Sequence, residues 1–298
     1  MSNSNETMIP QLKAMADPIR LRLLALCLRG EATVSELTEV MAQSQPRISQ
    51  HLKQLVDADL LERFRDGHFV YYRVPLGDKG SEQAAARRRL FALLPEDEAT
   101  NDRDFDRLCE LRAKSGLVVP EQDDAAQREL HRALIELTVT MPLGDVIDIG
   151  SGQGRILKLL GKRAQRAVGV DIAADARQLA RAELLLAGVE NCSLRQGDMY
   201  DLPFADKEFH TVILDDVLAQ AAKPLAAIRE AARLLKPNGR LLVVSQVGEP
   251  RQVPLAEQLI VWCRTADLRL AQPRTIPNSQ PRWLLAVATL PSGKSAAA

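Results

Sequence analysis

Apolar residues recur at helical spacing through the first part of the chain and gather into short strand-like runs in the last part. From residue 9 to residue 28, Leu12, Met15, Ile19, Leu23, Leu24 and Leu26 fall mainly three and four positions apart, which predicts helix. Asp17-Pro18 interrupts that pattern: Pro18 suits the first turn of a second helix, Asp17 can cap it, and Gly30 ends it. A shorter helix follows from Val34 or Ser35, with Leu37, Val40 and Met41 as its buried face. Ser44-Gln45-Pro46 opens a fourth, in which Ile48, Leu52 and Leu55 face inward at i, i+4 and i+7. Leu60 to Val74 then reads as a hairpin turning at Arg65-Asp66-Gly67-His68, because Asp-Gly is a strong two-residue turn signal. That turn sets Phe64 opposite Phe69 and lays Arg63, Arg65 and Arg73 along a ribbon.

Residues 76–140 carry little strand character. Helices are predicted over 81–94, where Leu90, Leu93 and Leu94 sit among Ala and Arg, and around 105–114 and 124–140, with the acidic break Pro95-Glu96-Asp97-Glu98 between the first two. The pattern then changes. Val146-Ile147-Asp148-Ile149, Ala167-Val168-Gly169-Val170-Asp171, a run ending at Gly197-Asp198, and Thr211-Val212-Ile213-Leu214-Asp215-Asp216 are short apolar strands, three of which end in an acid. Leu234 to Val244 reads as a helix end, a Pro237-Asn238-Gly239 turn and a fifth strand, and Trp283 to Ala288 as one of the last strands. Strands alternating with helices predict an α/β sheet.

The polar face of the fourth helix has a chemistry of its own. Ser44, Gln45, Arg47, Ser49, Gln50 and Lys53 are the residue types that read base edges or hold phosphates, and no acid occurs between Ser44 and Val56. The ribbon beside it, with Arg63 and Arg65, has the character of a wing. Over residues 8–75 the chain resembles the ArsR/SmtB family of dimeric winged-helix repressors, through Ser44-Gln45-Pro46-Arg47-Ile48-Ser49-Gln50-His51-Leu52-Lys53-Gln54-Leu55, Ala58-Asp59-Leu60-Leu61, the Asp66-Gly67 turn and Asp17-Pro18-Ile19-Arg20-Leu21-Arg22-Leu23-Leu24. The resemblance implies a homodimer on double-stranded operator DNA, with residues 81–94 as a dimerisation helix. Family members often bind metals through Cys and His; the corresponding helix here reads Val34-Ser35-Glu36-Leu37-Thr38-Glu39, so no metal site is expected. His51 and His68 are expected at phosphate or in solvent. Arg87-Arg88-Arg89 reads as a solvated face, and Cys27 and Cys109 as buried packing rather than a redox pair.

Gly150-Ser151-Gly152-Gln153-Gly154 follows the first strand, and alternate glycines let the backbone turn sharply and approach a ligand. Asp171 stands 21 residues beyond Gly150, as a ribose-diol acceptor requires. The spacing is G-x-G-x-G, not the G-x-G-x-x-G of dinucleotide folds. Residues 120–290 resemble the class I S-adenosylmethionine-dependent methyltransferases through that loop, Val170-Asp171-Ile172, Gly197-Asp198-Met199-Tyr200-Asp201-Leu202-Pro203-Phe204-Ala205-Asp206 and Leu235-Lys236-Pro237-Asn238-Gly239. The resemblance implies that Gly150, Gly152 and Gly154 line the methionine end and that Asp148 orients its ammonium. It also implies that Asp171 accepts the ribose hydroxyls and Asp198 with Met199 meets the adenine, with Ile172 and Asp215 completing the set. Phe209-His210 stands where the family usually writes Phe-Asp. The segment after the fourth strand, Asp216 to Ala222, holds small residues where acceptor-binding aromatics or histidines are common. The amino-methylating Asp/Asn-Pro-Pro-aromatic motif is absent, and no catalytic residue is named.

Lys+Arg and Asp+Glu balance at 39 each, so any affinity for a polyanion must be local. The N-terminus does not read as a signal peptide, no apolar run approaches a membrane span, and four scattered cysteines suit a reducing cytoplasm. The expected fold is therefore α/β with an N-terminal winged helix and a C-terminal Rossmann-like sheet closed by an antiparallel pair. The expected domains are 1–95 for DNA binding and dimerisation, 96–140 as helical connector, 141–290 as methyltransferase-like domain and 291–298 as tail. The expected function is a transcriptional repressor whose effector is S-adenosylmethionine or S-adenosylhomocysteine; the alternative is an active methyltransferase of small molecules.

Overall fold

A computed structural model describes residues 4–75, 82–94, 99–114, 125–247, 254–279 and 281–291. Contacts divide the chain into two units, Met1–Val119 with Arg181–Ser193, and Pro120–Ala180 with Leu194–Ala298.

The first unit opens with α1 (Ser4–Met15) and α2 (Pro18–Arg29). Asp17 caps α2 by accepting from the amides of Ile19 and Arg20. Strand β1 (Ala32–Thr33) leads into α3 (Val34–Met41), whose start is a reciprocal capping box between Thr33 and Glu36. Then come α4 (Gln45–Asp57), β2 (Glu62–Asp66), β3 (Phe69–Arg73), α5 (Glu82–Phe91) and α6 (Ala99–Lys114). Leu23, Leu24, Leu37, Ile48, Leu52, Leu55 and Leu108 are wholly buried in one cluster, so α2, α3, α4 and α6 share a core. Helix α6 starts earlier than the apolar pattern suggests because polar contacts hold its first turns: Arg29 pairs with Asp102 at 2.8 Å and Arg22 with Asp104 at 2.7 Å.

The hairpin departs from its predicted register. Asp66 pairs with Phe69, and Phe64 lies opposite Tyr71, not Phe69. The two turn residues are Gly67 and His68, and the positive φ falls on Gly67 (58°). The one-step shift has a cause: Asp66 is buried as the last residue of β2, engaged by an arginine described below, so it cannot also sit at the tip.

The second unit contains α7 (Ala125–Thr140), β4 (Asp145–Ile149), α8 (Arg155–Leu160), β5 (Arg166–Asp171), α9 (Ala174–Leu186), β6 (Cys192–Gln196), β7 (Phe209–Asp215), α10 (Pro224–Leu234), β8 (Leu235–Gln246), α11 (Leu255–Thr265), β9 (Arg269–Leu270), β10 (Arg274–Ile276) and β11 (Trp283–Thr289). Residues from Arg181 in α9 to Ser193 in β6 cluster with the first unit. The sheet runs β10-β11-β8-β7-β4-β5-β6, with β9 also on β11. Strands β5, β4, β7 and β8 are parallel, and β11 is antiparallel to β8 and β10. The unbroken apolar runs are explained by burial on both faces: Ile147, Ile149, Val168, Val170, Val212, Leu214, Leu241 and Val243 pack in a core on one face, and Val146, Ala167, Ile213, Leu242 and Val244, which point the other way, are buried as well. The predicted helix end, turn and strand of 234–244 is a helix followed by one long strand. Asn238 takes φ 63°, and the pairing of β7 with β8 slips between Phe209 and Thr211 to absorb it.

Register fixes where the functional loops emerge. Ile149 pairs with Val170 on one side and Leu214 on the other, so the segments beginning at Gly150, Asp171 and Asp215 leave the same carboxyl edge. In a doubly wound sheet that edge is where ligands bind. No helix among the described residues is long and apolar enough to cross a membrane.

Candidate functional site

The glycine loop is held by the strand next to it. The amides of Gly150 and Ser151 both donate to the Val170 carbonyl, at 2.7 and 2.9 Å. Gly150 takes φ 73°, and a β-carbon there would stand 2.1 Å from Val217 Cγ1. Gly152 also takes positive φ, but a β-carbon there meets nothing within 4 Å, so this turn lines open space. Asp171 braces the loop: its carboxylate accepts from the amides of Gly152 and Ala173, each at 2.8 Å. Gly197 donates to the Asp171 carbonyl at 3.3 Å, which brings the Asp198-Met199 turn beside it. Asp198 is exposed and accepts from the Tyr200 amide, Met199 packs on the core, and Ile172 is 70% exposed, a large apolar side chain with no core to cover it.

Asp148 sits beneath this loop at 1% exposure, and neither of its carboxylate oxygens has a hydrogen-bond partner among the described residues. Burial, then the charges of Asp215 and Asp171, push its carboxyl well above the usual range, against a smaller opposing pull from Arg155. Asp215 is raised for the same first reason, burial, although Arg155 Nη2 lies 2.5 Å from its Oδ1 and pulls the other way. The Arg155 guanidinium also stands 4.4 Å from the centre of the Trp283 ring, and its Nη1 is buried without a hydrogen-bond partner among the described residues. Sequence reasoning missed Arg155 and Trp283. Arg155 directly follows Gly154 and was legible as adjacent to the loop, whereas Trp283 arrives from the last strand with no local signal.

The structure thus brings Asp148, Gly150, Gly152, Gly154, Asp171, Ile172 and Asp215 together at one edge, with Asp198 and Met199 alongside. His210 belongs elsewhere: its Nδ1 accepts from the Asp145 amide at 3.0 Å, at the start of β4 and so at the opposite edge. Burial, then Lys236, lower its pKa. A groove of about 540 Å³ lined by Ile260, Arg264, Leu270 and Pro273 contains none of these residues.

On α4, Ser44, Gln45, Arg47, Gln50 and Lys53 are exposed and Ser49 is half-buried, opposite the wholly buried Ile48, Leu52 and Leu55. Arg47 donates to the side chain of Gln43 at 3.1 Å, and its guanidinium remains at the surface. Arg63 and Arg65 are exposed on β2. Arg73 is not part of that ribbon's surface: it is 7% exposed and bonds Glu31 and Glu62. His51 is half-buried with Nδ1 3.8 Å from Asp17, turned toward the cap of α2 and away from the reading face. Burial, then Glu36, push the Cys27 thiol up to about 12, and burial raises Cys109. Among the described residues no three His, Cys, Asp or Glu side chains are placed to hold a metal.

Comparison with known proteins matches both halves. Residues 17–63 fit the family model of the bacterial regulatory protein arsR family, and residues 142–280 fit a methyltransferase domain. The arsenic resistance transcriptional regulator ArsR1 of Pseudomonas putida is 48% identical over 63 residues, covering 21% of this chain and 49% of that protein. Demethylmenaquinone methyltransferase of Tropheryma whipplei is 29% identical over 148 residues, 50% of this chain and 59% of that protein. The chain therefore spans about half to three-fifths of the length of these relatives. Among solved structures, the [4+2]-cyclase SpnF has TM-score 0.50 at 17% identity, over 61% of this chain and 92% of its own, which shows the fold alone. The chain joins an arsR-family DNA-binding domain to a methyltransferase domain of Rossmann-like fold.

Proposed function

We propose that the protein is a transcriptional repressor that binds operator DNA as a homodimer and whose methyltransferase domain takes S-adenosylmethionine or S-adenosylhomocysteine as effector. The observation that carries the ligand half is Asp148. A buried carboxylate with two unmatched oxygens is costly, and native proteins leave such a group where a partner is to arrive. Asp148, Asp171 and Asp215 gather three acids against one arginine, a setting for a cation and hostile to a pyrophosphate. The amino-acid end of either ligand supplies an ammonium for Asp148. Asp171 supplies an acceptor for a ribose diol, the open turn at Gly152 gives the chain passage, and Ile172 offers an apolar face to the base. S-adenosylmethionine, when bound, supplies an electrophilic methyl on a sulfonium.

The sensor reading leads over the enzyme reading because the one titratable ring near neutrality on β7, His210, lies at the edge away from the loop. No acceptor-activating base among the described residues has been assigned at the carboxyl edge. The DNA half is supported by a reading face with no acid on it and two wing arginines in solvent.

Calorimetry with both ligand forms, paired with titration of a duplex selected by the wild-type chain, tests the whole reading. A ligand shifts DNA affinity only by its differential affinity for the two protein states, commonly about 1–3 kcal/mol. Ligand binding with DNA titrations that superimpose, with and without saturating ligand of either form, overturns the effector role and leaves methyl transfer as the domain's activity.

A further inference from the structure

A set of buried charges in the first unit is used by neither the ligand pocket nor the reading face. Glu31, Asp66, Arg73, Arg112 and Arg181 are each under 10% exposed. Arg181 Nη2 donates to Asp66 Oδ2 at 2.5 Å and its Nε to Glu31 Oε2 at 2.7 Å. Arg73 Nη1 donates to the other Glu31 oxygen at 2.9 Å. Arg112 donates to the Glu31 carbonyl at 2.7 Å, to the Arg181 carbonyl at 3.1 Å and to Glu36 at 2.7 Å. The Arg181 guanidinium also lies 4.0 Å from the centre of the Tyr71 ring. Arg181 therefore grips both strands of the wing, β2 through Asp66 and β3 through Tyr71.

Two physical needs meet there. The hairpin of two five-residue strands is joined by β1 only at the end of β3 away from the turn, where Ala32 pairs with Tyr72 and Thr33 with Tyr71, so its tip depends on what its inner face packs against. Asp66 directly follows Arg65, so an unpaired carboxylate at that position would oppose the wing's approach to phosphate. We propose that Arg181 is the anchor of the wing: it fixes the hairpin that carries Arg63 and Arg65 and withdraws the Asp66 charge into a bonded pair. DNA affinity is then set in part by a residue that lies within the methyltransferase-domain match and outside the arsR-family match. This rests on the DNA-binding reading above, and its test separates the two.

The full chain is compared with Arg181→Met and Arg181→Lys on a duplex that wild type selects from a random-sequence pool, at one fixed salt concentration. Arg181→Met is expected to weaken binding about tenfold by disabling the wing. Adding Arg65→Ala to Arg181→Met then changes nothing further, whereas adding Arg47→Ala multiplies the loss by the same factor as in wild type. Arg181→Lys restores part of the affinity. Amide hydrogen exchange over residues 62–73 rises in Arg181→Met while that over 45–57 does not. If Arg181→Met fails to fold, Asp66→Asn, which leaves Arg181 its bond to Glu31, repeats both measurements. Wild-type affinity, a full Arg65→Ala effect in the Arg181→Met background, or unchanged exchange in the wing overturns the anchor. A wild-type chain that enriches no duplex removes the DNA reading, and the exchange measurement still decides whether Arg181 holds the wing.

Discussion

Two buried carboxylate sites, one in each unit, are treated in opposite ways. In the first, Glu31 and Asp66 are enclosed by Arg73, Arg112 and Arg181, and no nitrogen or oxygen of those side chains is buried without a partner. In the second, Asp148 is as deeply buried, and both of its oxygens are unmatched. A closed network holds elements together; an orphaned acid waits for something from outside. On the function proposed above, the same residue type at the same depth carries structure in one site and recognition in the other, and satisfaction of its hydrogen bonds, not burial, distinguishes them.

The largest effect expected from this contrast is at Glu31. Glu31→Ala removes the carboxylate that Arg73 and Arg181 share, leaving Arg73 with Glu62 and Arg181 with Asp66, and breaking a buried pair by removing one partner destabilises by up to about 3–5 kcal/mol. Chemical denaturation should show the midpoint falling. A midpoint at the wild-type value would mean that the network is not closed as described.

Asp148→Asn should move stability the other way. The folded-state pKa of Asp148 is raised, so between the ordinary carboxylate value and that raised value the folded protein must hold a proton that the unfolded chain releases. The ligand-free protein consequently loses stability as pH rises through that window. The amide removes the penalty: at neutral pH we expect a gain in stability without ligand, and a loss of ligand binding beyond detection. The same linkage predicts that binding an ammonium to Asp148 releases a proton, so affinity rises with pH until the ligand's own amine deprotonates. Binding heats that do not vary with the ionisation enthalpy of the buffer would remove the ammonium–Asp148 pairing.

Much of this was readable in the chain and some was not. Ile48, Leu52 and Leu55 at helical spacing, with Pro46 at the start, placed the reading helix because its periodicity is local. The glycine loop and the acids at the strand ends were legible because a parallel strand buried on both faces leaves an unbroken apolar run with a polar stop. The buried network was not. Arg181 and Asp66 are 115 residues apart, and Arg181 on an amphipathic helix reads as an ordinary solvated side chain. The hairpin register failed for the same reason: Asp-Gly favours placing Asp66 in the turn, and a distant arginine takes it into the core. Arg155 and Asp215, 60 residues apart, met only through the sheet register.

Asp171→Ala is expected to weaken ligand binding less than Asp148→Asn, because Asp171 is only half-buried and its loss strands no charge in the core. It removes the proposed acceptor of the ribose hydroxyls, and it also frees the Gly152 amide that its carboxylate now holds at 2.8 Å. Losing such hydrogen bonds typically costs about 1–3 kcal/mol, read as weaker binding of S-adenosylhomocysteine with stability little changed. Undiminished affinity would move the ribose elsewhere and break the assignment of the loop.

The smallest effects expected are on DNA, and their pattern matters more than their size. Arg47 projects from α4 and Arg65 from the wing, both exposed, so neither truncation strands a buried group. Arg47→Ala is expected to cost about 1–3 kcal/mol and to relax preference at one base pair, because a guanidinium reads guanine through two bonds. Arg65→Ala is expected to weaken all duplexes alike and to reduce the slope of log affinity against log salt by about one, because a phosphate contact releases one counterion. Titrations of selected and random duplexes over a range of salt separate these outcomes. Equal loss on both duplexes for Arg47→Ala makes it a phosphate contact and moves base reading to Gln45, Ser49 or Gln50. An unchanged salt slope for Arg65→Ala means the wing does not reach the backbone, and the anchoring of that wing by Arg181 would then concern the fold of the first unit alone.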